Sequence, residues 1–319
     1  VSRNYLRKLK LVVGGDGGEN LSNMRVTFDV KQFTTQSPNN ATIRVYNLAK
    51  DHASDLQKQV NEGAKSGKQV PVVLDAGYEQ NCNTIFRGDA IYARTGRENP
   101  TDTYIDFFCR DGDIGYNHGV INKTLPKGST HRQQVDEILK VLKPFGIVEG
   151  SIQGLGSMKY PRAFTMFGMA RDQLRRLAAT IGATWSIQNG KLDIVPNDSD
   201  GKPGEAFVLN ANTGLIGMPT ETPNGIMVTA LINPQFFVNG RVKIDEKSIQ
   251  RGAFSLNWAG DIQNSMLETL GTADGIYRIL AIDWLGDTRG GPWYAYLTCI
   301  GAVNGQIPIG QVGQGRGGE

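Results

Sequence analysis

Asp111 and Asp113, in the stretch RDGDIG, have the residue types for a general acid/base pair or a cation-binding loop. Acid–base work needs a carboxylate within hydrogen-bond reach of the reacting proton, and glycoside hydrolysis needs two at a set separation. Spacing along the chain supplies neither distance, and the Asp-Gly composition suits a turn that ends a strand. His52, His118 and His131 lack the one-turn spacing, with a glutamate between, of a metalloprotease helix. They are expected to be solvated or capping. Cys82, Cys109 and Cys299 form no C-x-x-C, so a zinc site is not signalled. The expectation is three small hydrophobes in a reducing compartment. GGDGG, from Gly14, follows a strand-like LVV but lacks the third glycine of G-x-G-x-x-G, and a strand rather than a helix follows. KGST at 127–130 lacks the upstream glycine of a P-loop, and no G-x-S-x-G appears. The expectation is no catalytic residue, no metal, no cofactor and no enzyme activity.

Alternation dominates the flanks of the chain. Val26, Phe28 and Val30 alternate with polar residues, as do Ile43 and Val45, and then Val70, Val72 and Leu74. Period two with a polar partner face predicts half-buried antiparallel strands. LAKDHASDLQKQVNEG between them reads as a surface helix or a long loop. Near residue 115 the period changes. Thr130 with Gln133 fits a capping box, and Val135, Ile138, Leu139 and Leu142 make one helical stripe. A second helix is predicted from Met169 to Ile181 with Gly182 as its cap, then a tight hairpin at Asn189-Gly190. Strands return after Ala206.

The two strand-rich regions resemble each other. IFRGDAI starts at Ile85 and IYRILAI at Ile276, an offset of 276 − 85 = 191; TYIDFFC starts at Thr103 and WYAYLTC at Trp293, an offset of 293 − 103 = 190. Two strand patterns recurring in the same order point to an internal duplication. The fold class expected is mainly β with an α+β insert: two antiparallel β-barrels related by duplication, with a small α+β domain between them. The expected divisions are 1–115, 116–204 and 205–303, followed by a flexible Gly-rich tail at 304–319.

The 319 residues are 39% hydrophobic and 20% charged with a net charge of +3. That supports a packed core and argues against a dedicated nucleic-acid binder. No apolar run approaches the ~18–20 residues that span a bilayer, and LVV is too short for a signal-peptide core. Production in a cytoplasm without stable membrane insertion is expected.

The order of these pieces resembles the baseplate hub proteins of contractile-tailed bacteriophages. TIRVYNLA and VPVVLDAGY are similar to that family's opening barrel, which IFRGDAI and IDFFCRDGD complete. GSTHRQQVDEILKVL and DQLRRLAATIGATWSIQNGKLDIVP resemble its inserted domain. TGLIGMPTETPNGIMVTALINPQFFVNGRVKID resembles the start of its second barrel, while 246–274, with Trp258, departs from the pattern. The resemblance implies tail-tube-like barrels and a structural role in the virion baseplate. It implies a homotrimer whose six barrels form a ring between the hexameric tail tube and a trimeric central spike. The implied partners are further copies of the chain, the spike, the tail tube protein, the tape measure protein and the baseplate wedge proteins, with phage DNA only as passing cargo. A tail-associated cell-wall hydrolase or carbohydrate-binding component is the alternative. Tyr46, Tyr104, Tyr294 and Tyr296 project opposite apolar faces and are candidate subunit contacts. Arg87 and Arg278, at equivalent repeat positions, are candidates for equivalent contacts around the ring, or else solvated strand arginines.

Overall fold

The computed structural model describes residues 6–14, 17–222, 225–244 and 275–301. The departure at 246–274 and the tail at 304–319 lie outside the described residues.

The first unit runs β1 (Arg7–Val13), β2 (Glu19–Asn20), β3 (Val26–Phe33), β4 (Asn40–Tyr46), α1 (Lys50–Ser66), β5 (Val70–Tyr78), β6 (Asn81–Arg97) and β7 (Thr103–Arg110). In β3 the alternation holds throughout, with Val26, Phe28 and Val30 buried. The polar stretch before β5 is a helix because Ala53, Leu56 and Val60 recur at helical spacing and are buried, and Gly67, at φ 72°, stops it.

The insert carries α2 (Asp113–His118), β8 (Val120–Leu125), α3 (His131–Leu142), β9 (Val148–Ile152), β10 (Phe164–Met169), α4 (Ala170–Ile181), β11 (Ala183–Gln188) and β12 (Lys191–Pro196). Its own core includes Val135, Ile138, Leu174, Leu177 and Trp185. The capping box of Thr130 and Gln133 forms, and Gly182 caps α4 at φ 66°. Asn189 and Gly190 take φ 53° and 76°, the left-handed pair that a two-residue hairpin requires.

The second unit has β13 (Phe207–Leu209), β14 (Leu215–Thr222), β15 (Gly225–Leu231), β16 (Arg241–Ile244), β17 (Ile276–Asp287) and β18 (Trp293–Gly301). Its strand order β14-β15-β18-β17-β16 repeats β3-β4-β7-β6-β5 of the first unit. Cys109 faces Ala41 in the first copy and Cys299 faces Ile226 in the second, so 299 − 109 = 190 keeps the sequence offset. The other strand slides. The bulges fall at residue 91 in β6 and residue 280 in β17, an offset of 280 − 91 = 189 rather than 191. A slip of two preserves which side chains face inward, so the sequence motif aligns the faces but not the positions. Arg87 lies four residues before its bulge (91 − 87) and Arg278 two (280 − 278), and the two are not equivalent.

The units are fused. β17 pairs with β18 along one edge; its other edge pairs first with β16 and then, from Ala281 to Asp287, with β3. A 13-stranded sheet and one apolar core run through both units. At the seam, the buried Trp284 indole donates to Gln32 Oε1 at 2.9 Å, and Gln32 donates to the Ile85 carbonyl at 2.9 Å.

Candidate assembly interface

Opposite the core, the sheet presents one continuous outer face. Tyr294, Leu285, Asp29, Thr42, Phe108 and Tyr92 stand in register across six strands and both units. Tyr294 and Tyr296 meet edge to face at 6.5 Å, and Tyr296 is 37% exposed. Tyr92 is 50% exposed and packs on Phe108 at 5.9 Å. Reading the sequence missed Tyr92; strict alternation across the bulge would assign it to the wrong face.

The next row is polar. Arg44 donates to Asp106 at 2.7 and 3.1 Å and Arg94 donates at 3.0 Å, which leaves this carboxylate buried between two guanidiniums. The same Arg44 stacks 3.9 Å from the Tyr104 ring centroid, and Arg25 lies 4.5 Å from that of Tyr46. Tyr46 is therefore covered by its own chain, contrary to the expectation of an outward contact. Tyr104 faces it across the strand pair, half-buried.

Arg278 is also turned inward. It is 1% exposed and donates to Asn239 Oδ1 at 2.6 and 2.9 Å, to the Pro196 carbonyl at 3.1 Å and to the Ser199 carbonyl at 3.0 Å. Burial without a hydrogen-bonded carboxylate lowers its pKa to about 10. It fastens the chain leaving the insert to the second unit. Its expected place in a subunit contact is corrected, because its donors are spent within the chain. Arg87 is exposed, and its backbone N–H donates to Asn189 Oδ1 at 2.9 Å.

That bond belongs to a polar seat for the insert. Asn39 donates to the Ile187 carbonyl at 3.0 Å and to Gln188 Oε1 at 2.9 Å, and Gln188 donates to the Phe33 carbonyl at 2.7 Å. Asp111 accepts the backbone N–H of Gly190 at 2.9 Å and that of Asn189. Burial pushes its carboxyl up to about 7, against the pull of these donors. Asp113 opens α2 and accepts from Gln69 at 3.2 Å. The two carboxylates thus hold the hairpin and the helix start. His131 is buried with Nδ1 3.0 Å from the Leu155 carbonyl, and His52 lies 3.2 Å from Glu19. The cysteines are free, and burial raises the Cys109 and Cys299 thiols. Among the described residues no group of His, Cys, Asp and Glu could hold a metal ion, and no helix is long and apolar enough to cross a membrane.

No curated protein matches the sequence. The fold is shared with the 43 kDa tail protein of prophage MuSo2 from Shewanella oneidensis, 13% identical, with 93% of this chain and 98% of that one covered and a TM-score of 0.57. A tail protein of Neisseria meningitidis MC58 is 9% identical, with 93% and 97% covered and a TM-score of 0.54. The E. coli c3393 protein is a component of the type VI secretion system with structural similarity to T4 bacteriophage tail proteins gp27 and gp5. It is 11% identical, with 94% and 80% covered and a TM-score of 0.54. A family model, Baseplate hub gp41, matches residues 9–248, the greater part of the sequence. With the duplicated sheet and its single insert, that match makes this chain a member of the Baseplate hub gp41 family, a structural component of the phage tail.

Proposed function

We propose that three copies of this chain form a pseudo-six-fold ring that joins the tail tube to the central spike and surrounds part of the path of the ejected DNA. The observation that carries this is the repeat of one strand order, β3-β4-β7-β6-β5, as β14-β15-β18-β17-β16 within a single chain. Two similar units per chain, three times over, give six similar units with three-fold true symmetry. Such a ring can meet a six-fold partner on one side and a three-fold partner on the other. The insert occurs once per chain, which marks one face of the ring with three-fold spacing. On this reading the protein is a scaffold and performs no bond chemistry; Asp111 and Asp113 are structural. It acts in the virion, after assembly in the host cytoplasm.

Light scattering on the purified chain, alone and with the spike, tests the reading. A mass of three chains is expected. A monomer under both conditions, or hydrolysis of cell-wall polymer that disappears in Asp113→Asn, overturns it.

A further inference from the structure

In the insert, β8 and β10 form a two-stranded ribbon of their own. Ile121, Leu125 and Met166 point into the insert core, which leaves Val120, Asn122, Thr124, Thr165 and Phe167 exposed on the other face. Phe167 is 73% exposed, the most of any large apolar side chain among the described residues, and Val120 is 59% exposed. The Ala170 N–H donates to the Gly119 carbonyl at 2.8 Å. Bonds to β10 therefore fall at Gly119 and every second position after it, and the backbone groups of Val120, Asn122 and Thr124 aim away from β10. No strand pairs with that edge among the described residues.

The charge around the ribbon has one sign. From Ile114 to Val135 and from Gly150 to Arg171 there is no Asp or Glu. Beyond the ribbon the two segments are zipped together. The Gly128 N–H donates to the Tyr160 carbonyl at 2.9 Å, the Tyr160 N–H donates to the Ser129 carbonyl at 2.8 Å, and the Tyr160 ring stacks on Phe164 at 4.8 Å. This gathers Lys127, Lys159 and Arg162 at the Leu125 end of the ribbon, all exposed and none in an ion pair among the described residues. On the helices of the insert, by contrast, Arg132, Lys140 and Arg175 have carboxylate partners. Like charges held together without a carboxylate repel one another and oppose the fold that gathers them. An acidic group from outside the chain would reverse that term.

We propose that an extended segment of another tail protein lies along the free edge of β8, apolar where it passes Val120 and Phe167 and acidic where it reaches Lys127, Lys159 and Arg162. This goes beyond the ring reading and does not depend on it, since every residue named lies in the insert. At a strand edge, main-chain bonds supply affinity and alternate side chains supply selectivity. A phosphate backbone would need cations along its whole track, and the exposed face of the ribbon has none. Lys123 turns to the opposite face, toward Glu137 of α3.

Photo-crosslinking in assembled tails tests the proposal. Chains with Phe167→p-benzoylphenylalanine or Asn122→p-benzoylphenylalanine are incorporated, irradiated and digested, and the adducts are sequenced by mass spectrometry. Both positions are expected to capture one segment of a different protein, with Asp or Glu on the side of the basic loops. Lys159→Gln with Arg162→Gln should cut the adduct yield per incorporated chain at least about fivefold, while Lys58→Gln with Lys65→Gln on α1 should change it less than about twofold. Adducts only to further copies of this chain, to DNA or to lipid, or no adduct at either position, overturn the proposal. So does a captured segment without carboxylates, or a yield indifferent to the Lys159 and Arg162 substitutions.

Discussion

Replacing Arg278 with methionine keeps much of the buried stem and deletes the guanidinium. Three of its acceptor groups lie within 3.1 Å: Asn239 Oδ1 and the carbonyls of Pro196 and Ser199. At about 1.5–3 kcal/mol for each hydrogen bond to a charged group, they sum to roughly 5–9 kcal/mol. The opposing term is the cost of burying the charge. The lowering of the guanidinium pKa to about 10 corresponds to about 3 kcal/mol at 1.36 kcal/mol per unit. The difference is a net loss of about 2–6 kcal/mol, left by three neutral acceptors without their donor. Urea unfolding followed by Trp284 and Trp293 fluorescence should show the midpoint falling by about 1–2 M, taking a slope of about 2–3 kcal/mol/M. Arg278→Lys should fall between, since one ammonium cannot fork between Asn239 and the 196–199 carbonyls. The methionine variant should also become sensitive to proteolysis at 197–205. A midpoint unchanged to within about 0.3 M, set against a cost of about 2–6 kcal/mol, refutes the reasoning. Unchanged stability with loss of self-association would return Arg278 to a subunit contact.

Asp111 carries a carboxyl raised to about 7 from 3.8, so the folded chain takes up a proton that the unfolded chain has released. Stability is therefore greatest below pH 4 from this group, declines as pH rises from 4 toward 7, and levels off above; Asp111→Asn should flatten that segment in unfolding midpoints measured across pH. Asn61→Ala removes both bonds to Ala93, should cost about 1–3 kcal/mol by chemical unfolding, and should raise turbidity on standing by baring an edge. Asp106→Ala leaves Arg44 and Arg94 facing each other without their shared acceptor. Because both arginines are partly solvated, the loss should be about 1–3 kcal/mol, read in the same unfolding assay. A reducing agent should leave the thermal midpoint unchanged, since all three cysteines are free.

Local signals read well where the physics is local. The capping box at Thr130, the Gly182 cap and the Asn189-Gly190 hairpin each depend on residues within a few positions, and each forms as expected. The repeat was legible because Cys109 and Cys299 end matching strands, yet its first strand is displaced by two. Faces recur every second residue, so a pattern of apolar and polar positions does not distinguish a slip of two. Arg278 was misplaced for a different reason. From Tyr277 to Ile282 every residue of β17 is buried, since this strand has the core on one face and the chain leaving the insert against the other. An arginine in such a run is not on a wet face, and the adjacent ILAI was the available hint. The seat of the insert was illegible. Asn39, Asp111 and Gln188 are ordinary turn and strand residues until the fold brings them together across 148 and 79 positions.

The pairing of β3 with β17 sets a timetable for synthesis. Val30 faces Trp284, a separation of 284 − 30 = 254 residues. At about 5–20 residues per second, the ribosome takes roughly 10–50 s to deliver the partner after β3 has emerged. Throughout that interval the nascent chain carries an open strand edge of its own, beside neighbours on the same messenger that carry the identical edge. Correct pairing within each chain therefore competes with pairing between chains on one polysome, and slow translation past β16 would favour the wrong outcome.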